Sequence, residues 1–132
     1  MATIARQETY KDLDFSFKQN PNTNDVGIKK DNAAVTQSVL NILRTNHGER
    51  PFKYRFGANL RQYLFENMTN VTAANMATSI NLAIRNWEPR LVVLNTNIQA
   101  RPDEHGVNIT VTGRVKSSNE IIDIATTIER LR

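Results

Sequence analysis

Two stretches of the chain repeat apolar residues at the three- and four-residue spacing of an amphipathic helix. The apolar positions of the first stretch are Val35, Val39, Ile42 and Leu43. Asp31 precedes them as a candidate N-cap, because its carboxylate can accept the free amide groups of the first turn, and Gly48 follows them as a candidate stop. The spacing therefore predicts a helix from Asp31 to about Thr45.

The second helical stretch carries the only tryptophan of the chain. Its apolar positions are Met76, Ile80, Ile84 and Trp87. A continuous stripe of this kind is typical of a protein core. Thr72 is the candidate N-cap, and Val71 can pack onto Met76 as a hydrophobic staple. Pro89 lacks an amide hydrogen and disfavours helical dihedral angles at Glu88, so the helix should end at or before Glu88.

The last third of the chain alternates apolar and polar residues, which is the period of a strand with one buried face. Residues 90–100 are rich in β-branched side chains, the turn sequence RPDEHG follows at 101–106, and residues 107–117 alternate again. This order predicts a β-hairpin.

The tail of the chain, EIIDIATTIERLR, fits two templates. The helical set is Ile121, Ile124, Ile128 and Leu131. The strand set is Ile122, Ile124, Thr126 and Ile128. The isoleucine and threonine content favours the strand, because β-branched side chains are stiff in a helix and pack well on a pleated sheet.

Three shorter segments complete the pattern. The sequence YKDLDFSFK places Leu13, Phe15 and Phe17 on one face, as in a half-buried strand or an extended arm. Residues 19–31, with their asparagines, proline and glycine, predict an ordered loop. The sequence LRQYLFENM at 60–68 predicts a short helix.

Together these elements predict an α+β fold, in which helices pack on one face of a small antiparallel sheet. We expect a single domain, residues 1–132, with an N-terminal strand or arm and loop at 1–30 and a core at 31–132. The first and last segments of the chain are the expected edges of the sheet. Exposed edges template further strands, because their amide and carbonyl groups are unpaired.

The composition excludes several classes of site. The chain has no cysteine, which removes disulfides, thiolate zinc sites and cysteine nucleophiles. No apolar run is long enough for a signal peptide or a membrane span, so we expect a chain made in a cytoplasm, with no membrane partner.

Positive charge clusters between residues 44 and 61 of a chain whose net charge is +4. The cationic residues there are Arg44, Arg50, Lys53, Arg55 and Arg61, against one acidic residue, Glu49. Phe52, Tyr54 and Phe56 are interleaved with them, as in nucleic-acid surfaces that pair cations with phosphates and stack rings on bases. Alternation instead favours an extended segment whose three rings pack inward, hidden from any base.

Catalytic patterns are sparse. The serines lie in no nucleophile-elbow context, His47 and His105 are solitary, and no glycine-rich phosphate loop is present, so we expect neither cofactor nor metal. A hydrolytic carboxylate pair stays open, because its two acids need only lie about 5–10 Å apart. Glu66 and Glu88 are the candidates, since aromatic neighbours can raise a carboxyl pKa.

Glu88 and Arg90 bracket Pro89 where the predicted helix meets the predicted strand. Because a proline separates them, we expect the two side chains to point apart. Two interpretations then carry equal weight. The pair is a salt bridge or carbonyl cap within the domain, or it contacts a partner through the rigid fork of guanidinium donors.

Several motifs resemble the baseplate wedge proteins of contractile-tailed phages, the tail-sheath initiators, over residues 30–130. The matching motifs are GERPF at 48–52, FG at 56–57, LFENMT at 64–69 and EPR at 88–90. This family includes a type VI secretion baseplate subunit and has carried a phage-lysozyme label.

The resemblance implies a fold like the handshake domain of tail-sheath subunits. It also implies a structural, non-enzymatic role in the virion, within a tail baseplate assembled in the host cytoplasm. The implied partners are other baseplate wedge proteins, the tail sheath protein and the tube or hub proteins, with no nucleic acid and no membrane. Six copies per baseplate are expected on the same ground.

The resemblance further implies roles for particular residues. The contact with the wedge core bundle falls on Glu88, Pro89 and Arg90. The edge strand that exchanges strands with the sheath or with neighbouring subunits falls on Ile122, Ile124 and Ile128. A peptidoglycan hydrolase, following the older label, and a nucleic-acid-binding module at residues 44–61 are the alternatives.

Overall fold

A computed structural model describes residues 10–101 and 105–129 of the chain. Its elements are β1 (Lys11–Leu13), β2 (Ile28–Lys30), α1 (Asp31–Arg44), a 3-10 helix (Leu60–Phe65), α2 (Asn70–Trp87), β3 (Leu91–Arg101), β4 (Gly106–Val115) and β5 (Ile121–Glu129). Part of the expected arm, residues 1–9, three residues of the expected turn, 102–104, and Leu131 of the tail lie outside the described residues.

β3, β4 and β5 form an antiparallel sheet with β4 in the centre. The predicted hairpin is confirmed, with Ile98 of β3 opposite Ile109 of β4. The tail is a strand and not a helix, as its composition favours, and its Ile124 lies opposite Val111.

The helices cover one face of this sheet, which confirms the predicted α+β class. The buried face of β4 consists of Val107, Ile109, Val111 and Val115. Both predicted helical stripes join these residues in one core, although Trp87 at the end of α2 is only half-buried. The opposite face of the sheet is polar, and there Thr112 donates a hydrogen bond to Asp123 at 2.6 Å. One packed and one solvated face is the usual arrangement of an antiparallel sheet.

The N-cap of α2 lies three residues earlier than predicted, and the helix begins at Asn70. Thr69, not Thr72, is the N-cap, and its Oγ1 atom accepts the amide hydrogen of Thr72 at 3.2 Å. Val71 consequently lies within the helix with its side chain exposed, so it does not staple onto the buried Met76. The predicted end is confirmed, because the last helical residue precedes Glu88.

α1 begins at Asp31 without a side-chain cap, so the capping role predicted for Asp31 is wrong. Its Oδ1 atom instead accepts the amide hydrogen of Tyr10 at 3.3 Å, and its own amide donates to the carbonyl of Tyr10 at 2.8 Å. The Asp31 carboxylate therefore holds the N-terminal segment. The helix ends at Arg44, and Gly48 lies in the turn that follows, with φ of +85°.

The N-terminal segment pairs with a strand inside the region predicted as a loop. β1 and β2 are antiparallel, with Leu13 opposite Ile28. A strand of three residues is too short to show an alternation of its own. The side chains of Leu13, Phe15 and Phe17 are all more than half exposed, so the half-buried face expected for them is wrong.

Residues 45–59 form turns and not an extended segment. Phe52 is fully exposed and Tyr54 largely so, whereas Phe56 packs on Trp87 with 5.2 Å between ring centroids. The prediction of three inward rings is therefore wrong for Phe52 and Tyr54, because only in a strand do successive side chains alternate between two faces. The short helix predicted at residues 60–68 is present as the 3-10 helix, Leu60–Phe65. None of the described helices is long and apolar enough to cross a lipid bilayer.

Candidate functional site

The junction between α2 and β3 is a tight corner built by the backbone of residues 88–91. The Glu88 amide makes the last helical hydrogen bond, to the carbonyl of Ile84 at 2.7 Å. Glu88 then leaves the helical region, with φ of −130° and ψ of 77°, as expected for a residue before proline. Pro89 is exposed at the apex, and the Arg90 carbonyl accepts from the amide of Lys116 at 2.9 Å, which fixes the corner to the adjacent end of β4.

The side chains of Glu88 and Arg90 form a bidentate salt bridge across the proline. Arg90 Nε lies 2.6 Å from Glu88 Oε1, and Nη2 lies 2.8 Å from Oε2. The Arg90 amide adds a third contact to Oε1 at 3.3 Å. The expectation that the two side chains point apart is wrong, because the non-helical turn at Glu88 brings both to the same side of the chain.

The Glu88 carboxylate is ionised and buried, with only 1% of the residue exposed. Burial raises the pKa of this carboxyl, but hydrogen bonds from Arg90 and Ser38 and the charge of Arg90 outweigh that effect and lower the pKa below its ordinary value. The hydrogen bonds to Glu88 likewise raise the pKa of Arg90. The expectation that aromatic neighbours raise the pKa of Glu88, as a hydrolytic role would need, is therefore wrong.

Arg90 also connects the corner to the N-terminal segment. Its guanidinium carbon lies 5.1 Å from the ring centroid of Tyr10, within range of a cation–π contact, and Asp12 contributes a favourable charge. Because Ser38 of α1 contacts Glu88, three segments meet at one ion pair. The sequence did not indicate Tyr10 or Ser38, since nothing in local spacing relates residues so far apart in the chain.

Gln37 of α1 is a second polar residue that the sequence analysis missed. Its buried amide donates to the carbonyl of Leu13 at 2.7 Å and accepts the amide hydrogen of Phe15 at 3.2 Å. The side chain thereby satisfies the backbone of the N-terminal segment at two points, as a neighbouring strand would. Gln37 lies two residues from both Val35 and Val39, outside the apolar stripe, so the helical spacing carries no signal for it.

The three isoleucines predicted for the edge strand lie on β5, which is an edge of the sheet. Ile124 is buried, and Ile122 and Ile128 are partly buried against the core. Their side chains therefore face the inside of this chain, and the feature that β5 offers to another molecule is its backbone.

The remaining candidate residues do not assemble around the corner. Glu66 is exposed just after the 3-10 helix. His47 contacts the carbonyl of Gly57 at 3.1 Å, and His105 is exposed at the start of the β4 hairpin arm. Within residues 10–101 and 105–129, no group of three acidic or histidine side chains is placed to hold a metal ion.

Comparison with known proteins places these features in a family. Residues 29–120 match the family model of baseplate wedge protein gp25. The chain is 35% identical to the baseplate wedge protein gp25 of Enterobacteria phage T4 over 111 residues, which cover 84% of this chain and 82% of that protein. It is 26% identical to baseplate protein W of Escherichia phage P2 over 90 residues, 68% of this chain and 77% of that protein.

Solved structures share the fold at lower identity. A crystal structure from Geobacter sulfurreducens that carries a tail-lysozyme label gives a TM-score of 0.67 at 23% identity, covering 74% of this chain and 89% of that one. A chain of the six-fold symmetrised anti-feeding prophage baseplate gives 0.65 at 24% identity, covering 89% and 83%. A chain of the postcontracted pyocin R2 baseplate gives 0.54 at 16% identity, covering 86% and 97%.

Proposed function

This chain belongs to the gp25 family of baseplate wedge proteins, and we propose that it joins the wedge through the Glu88–Pro89–Arg90 corner and starts the first sheath ring by accepting strands at its sheet edges. It is a structural component of the baseplate of a contractile phage tail, and therefore of the virion. The proposal concerns how it is held there and what it assembles.

The observation that carries the proposal is the state of the sheet edges. In the part of the chain that the structure describes, only β4 is paired on both sides, so β3 and β5 each present one unpaired edge. Between Leu91 and Ala100, β3 carries no charged side chain, and Val92 and Leu94 are exposed beside the edge. Protein edges usually carry charges or proline that prevent pairing. β3 has a bulge between Val93 and Asn95, and from Asn95 to Ala100 its edge is regular and free of charged side chains, which suits a strand supplied by another chain.

Strand addition also suits a protein that must set a repeating geometry. Main-chain hydrogen bonds fix the angle and spacing of the added strand without depending on one side chain. On β5 the isoleucines stay in the core of this chain, so the expected contact there is made by the backbone. Strand addition is also how the handshake-like fold expected of the family would join neighbouring subunits.

The corner is the candidate contact with the wedge core bundle. Pro89 is exposed, and 27% of the Arg90 side chain is exposed although its inner donors are held by Glu88. The salt bridge keeps the guanidinium in one orientation, and a preorganised charged group loses little freedom on binding. We further propose six copies per baseplate, with contacts to sheath, tube or hub proteins, and no nucleic-acid or membrane contact.

Pro89→Glu tests the corner while keeping both side chains of the salt bridge. The added carboxylate lies at the exposed apex, and the backbone hydrogen bond from Lys116 to Arg90 still holds the corner, so the chain should fold and fail to enter wedge complexes reconstituted from purified partners. Ser117→Glu, in the exposed turn after β4, is the matched control and should enter them normally. If the Pro89→Glu variant entered wedge complexes as well as the unaltered chain does, the corner would not be the contact with the wedge core bundle.

Leu94→Lys tests the β3 edge, and Ala125→Lys makes the equivalent change on β5. A lysine beside an edge opposes strand addition. Baseplates that carry the variant at the edge that accepts strands should therefore form but should not nucleate sheath. Electron microscopy of the assembled baseplates measures both results. Val71→Lys, on the exposed side of α2, is the control for added charge. Full sheath nucleation by both edge variants would contradict the proposal.

We propose that the chain is not an enzyme. A general acid needs a carboxyl that keeps its proton near neutral pH, and the lowered pKa of Glu88 opposes that role. Clearing of a peptidoglycan suspension by the purified chain, abolished by Glu66→Gln, would favour the hydrolase instead.

A further inference from the structure

The loop between α1 and the 3-10 helix presents two aromatic rings to solvent. Phe52 is fully exposed, and its backbone has φ of +65°, a region that bulky side chains rarely adopt. Tyr54 is also exposed, and its ring rests over Gly48. An exposed ring held on a strained backbone contributes nothing to the core, which points to a role outside the folding of this chain.

The loop is rigid because hydrogen bonds close it at several points. The Gly48 amide donates to the carbonyl of Tyr54 at 2.8 Å. The Glu49 carboxylate accepts from the amide and the side chain of Asn46, both at 2.9 Å. The Ala58 amide donates to the carbonyl of Ile42 at 3.1 Å, which ties the loop to the end of α1. A surface fixed in advance binds a partner with a smaller entropy cost.

The cations of the loop are arranged on its aromatic residues. Arg50 lies 4.6 Å from the ring centroid of Phe56, and Lys53 lies 5.6 Å from that of Trp87. These contacts orient the two cations and leave their charge unneutralised. Arg55 is exposed and forms no salt bridge with any residue that the structure describes. The only carboxylate of the loop, that of Glu49, is engaged by Asn46.

Between the loop and α2 lies a cavity of about 400 Å³. Leu82, Ala83 and Trp87 supply its apolar wall, and Tyr54 and Arg55 close the loop side. Leu82 is more than half exposed, so the apolar wall is open to solvent. The cavity is wide enough for an apolar side chain, and Arg55 is the lysine or arginine among its lining residues, with Arg50 and Lys53 elsewhere on the same loop.

We propose that this loop and the adjoining side of α2 form a docking surface for an acidic segment of another protein, with an apolar side chain in the cavity. Carboxylates of the segment pair with Arg50, Lys53 and Arg55, and its apolar residue contacts Leu82. Aromatic and arginine side chains around a pocket are the usual anchors of protein interfaces. This surface is separate from the sheet edges and from the apex of the corner.

A protein segment fits this surface better than a nucleic acid does. Single-stranded nucleic acids bind along grooves in which successive bases stack on open aromatic faces. Here Arg50 and Lys53 cover a face of Phe56 and of Trp87, and one face of Tyr54 rests over Gly48, so Phe52 is the one fully open ring of the four. The cavity beside Trp87 has Leu82 and Ala83 in its wall, which suits a branched side chain.

The test uses the full chain and a labelled synthetic peptide of alternating glutamate and leucine, measured by fluorescence anisotropy. Leu82→Ser and Arg55→Glu should each weaken binding by at least about tenfold, because they remove the apolar and a charged contact of the segment. Arg114→Glu, on the exposed face of β4, and Val71→Ser, on α2, are the matched controls and should bind as the unaltered chain does. Added salt should weaken binding.

Three results would overturn the proposal. One is equal binding of a peptide with lysine in place of glutamate, and another is the absence of binding to the acidic peptide. The third is tighter binding of single-stranded oligothymidylate than of the peptide, which would indicate a nucleic-acid surface. Pro89→Glu and Leu94→Lys should keep peptide binding, so a failure of this inference is distinct from a failure of the wedge and sheath contacts.

Discussion

Arg90 holds both carboxylate oxygens of Glu88, at 2.6 and 2.8 Å, although one proline separates the two residues in the chain. The acid is buried and the base is mostly so. A buried pair of this kind fixes a conformation more than it adds stability, because the gain in Coulomb energy is offset by the loss of hydration. The geometry of the corner is therefore the property to test first.

Arg90→Ala should destabilise the fold by about 3 kcal/mol, because it leaves the buried carboxylate of Glu88 without its partner. The double variant Glu88→Met/Arg90→Met removes both charges and should lie within about 1 kcal/mol of the unaltered chain. Urea unfolding of Glu88→Met, Arg90→Met and the double variant measures the coupling. Small losses in the two single methionine variants that add up to the loss in the double variant would show that the ion pair does not hold the corner.

The pH dependence of stability should report the same pair. The pKa of Glu88 is lower in the folded chain than its ordinary 4.5, so the stabilisation is complete above about pH 4.5 and is lost as the pH falls through the folded value. The double methionine variant should lose less stability on acidification. Asp14 and Glu49, whose pKa values are lowered by hydrogen bonds from Ser16 and Asn46, are present in both proteins and cancel in the comparison.

Gly57→Ala should be among the most damaging single substitutions, costing about 3 kcal/mol or more. The φ of Gly57 is +104°, and an added Cβ would lie 2.2 Å from the carbonyl oxygen of Thr45. Gly27→Ala is the matched control, since its Cβ would meet the nearest atom at 3.5 Å. Comparing the thermal unfolding of both variants separates the steric clash at Gly57 from the effect on stability that replacing any glycine with alanine has.

Thr69→Ala should cost about 1 kcal/mol, the usual value of a lost N-cap. Thr69→Asp keeps an acceptor for the Thr72 amide and should recover most of that loss. Thr78→Ala removes an exposed hydroxyl within the same helix and serves as the control. Chemical unfolding of the three variants checks the assignment, and equal stability of Thr69→Ala and Thr78→Ala would contradict it.

Gln37→Glu should release the N-terminal segment while the rest of the fold remains intact. The carboxylate cannot donate to the Leu13 carbonyl, which would then face a negative charge in a half-buried site. Amide hydrogen exchange near Phe15 should become at least about tenfold faster, as expected for local opening. Gln62→Glu, on the exposed 3-10 helix, should leave this exchange unchanged.

The parts of the fold that sequence predicts are those with a long, regular period. The stripe of α2 and the alternation of β4 each repeat over several residues, so a single residue out of pattern does not change the interpretation. β2 could not be found this way, because three residues of strand lie within a segment rich in turn-forming residues. The positions of Phe52 and Tyr54 were wrong because the alternation of three rings over residues 52–56 favours an extended segment, whereas the backbone turns there.

The sequence predicts where the candidate site lies in the chain but not how its side chains are arranged. Pro89 marks the end of α2 in the sequence, and the acid and base beside it are visible there. The direction of their side chains depends on the ψ angle of Glu88, and Pro89 excludes the helical range for that angle without specifying the observed 77°. The contacts of Tyr10 and Ser38 depend on how distant segments pack, and a single sequence carries no signal for them.

Tyr10 covers the outer side of a guanidinium whose inner side is locked to Glu88. Displacement of the amino-terminal segment therefore moves the Tyr10 ring away from the Arg90 guanidinium. Opening of the corner likewise moves the guanidinium away from the ring. Neither segment can shift without disturbing the other. The contact between Tyr10 and Arg90 therefore couples the position of the amino-terminal segment to that of the corner.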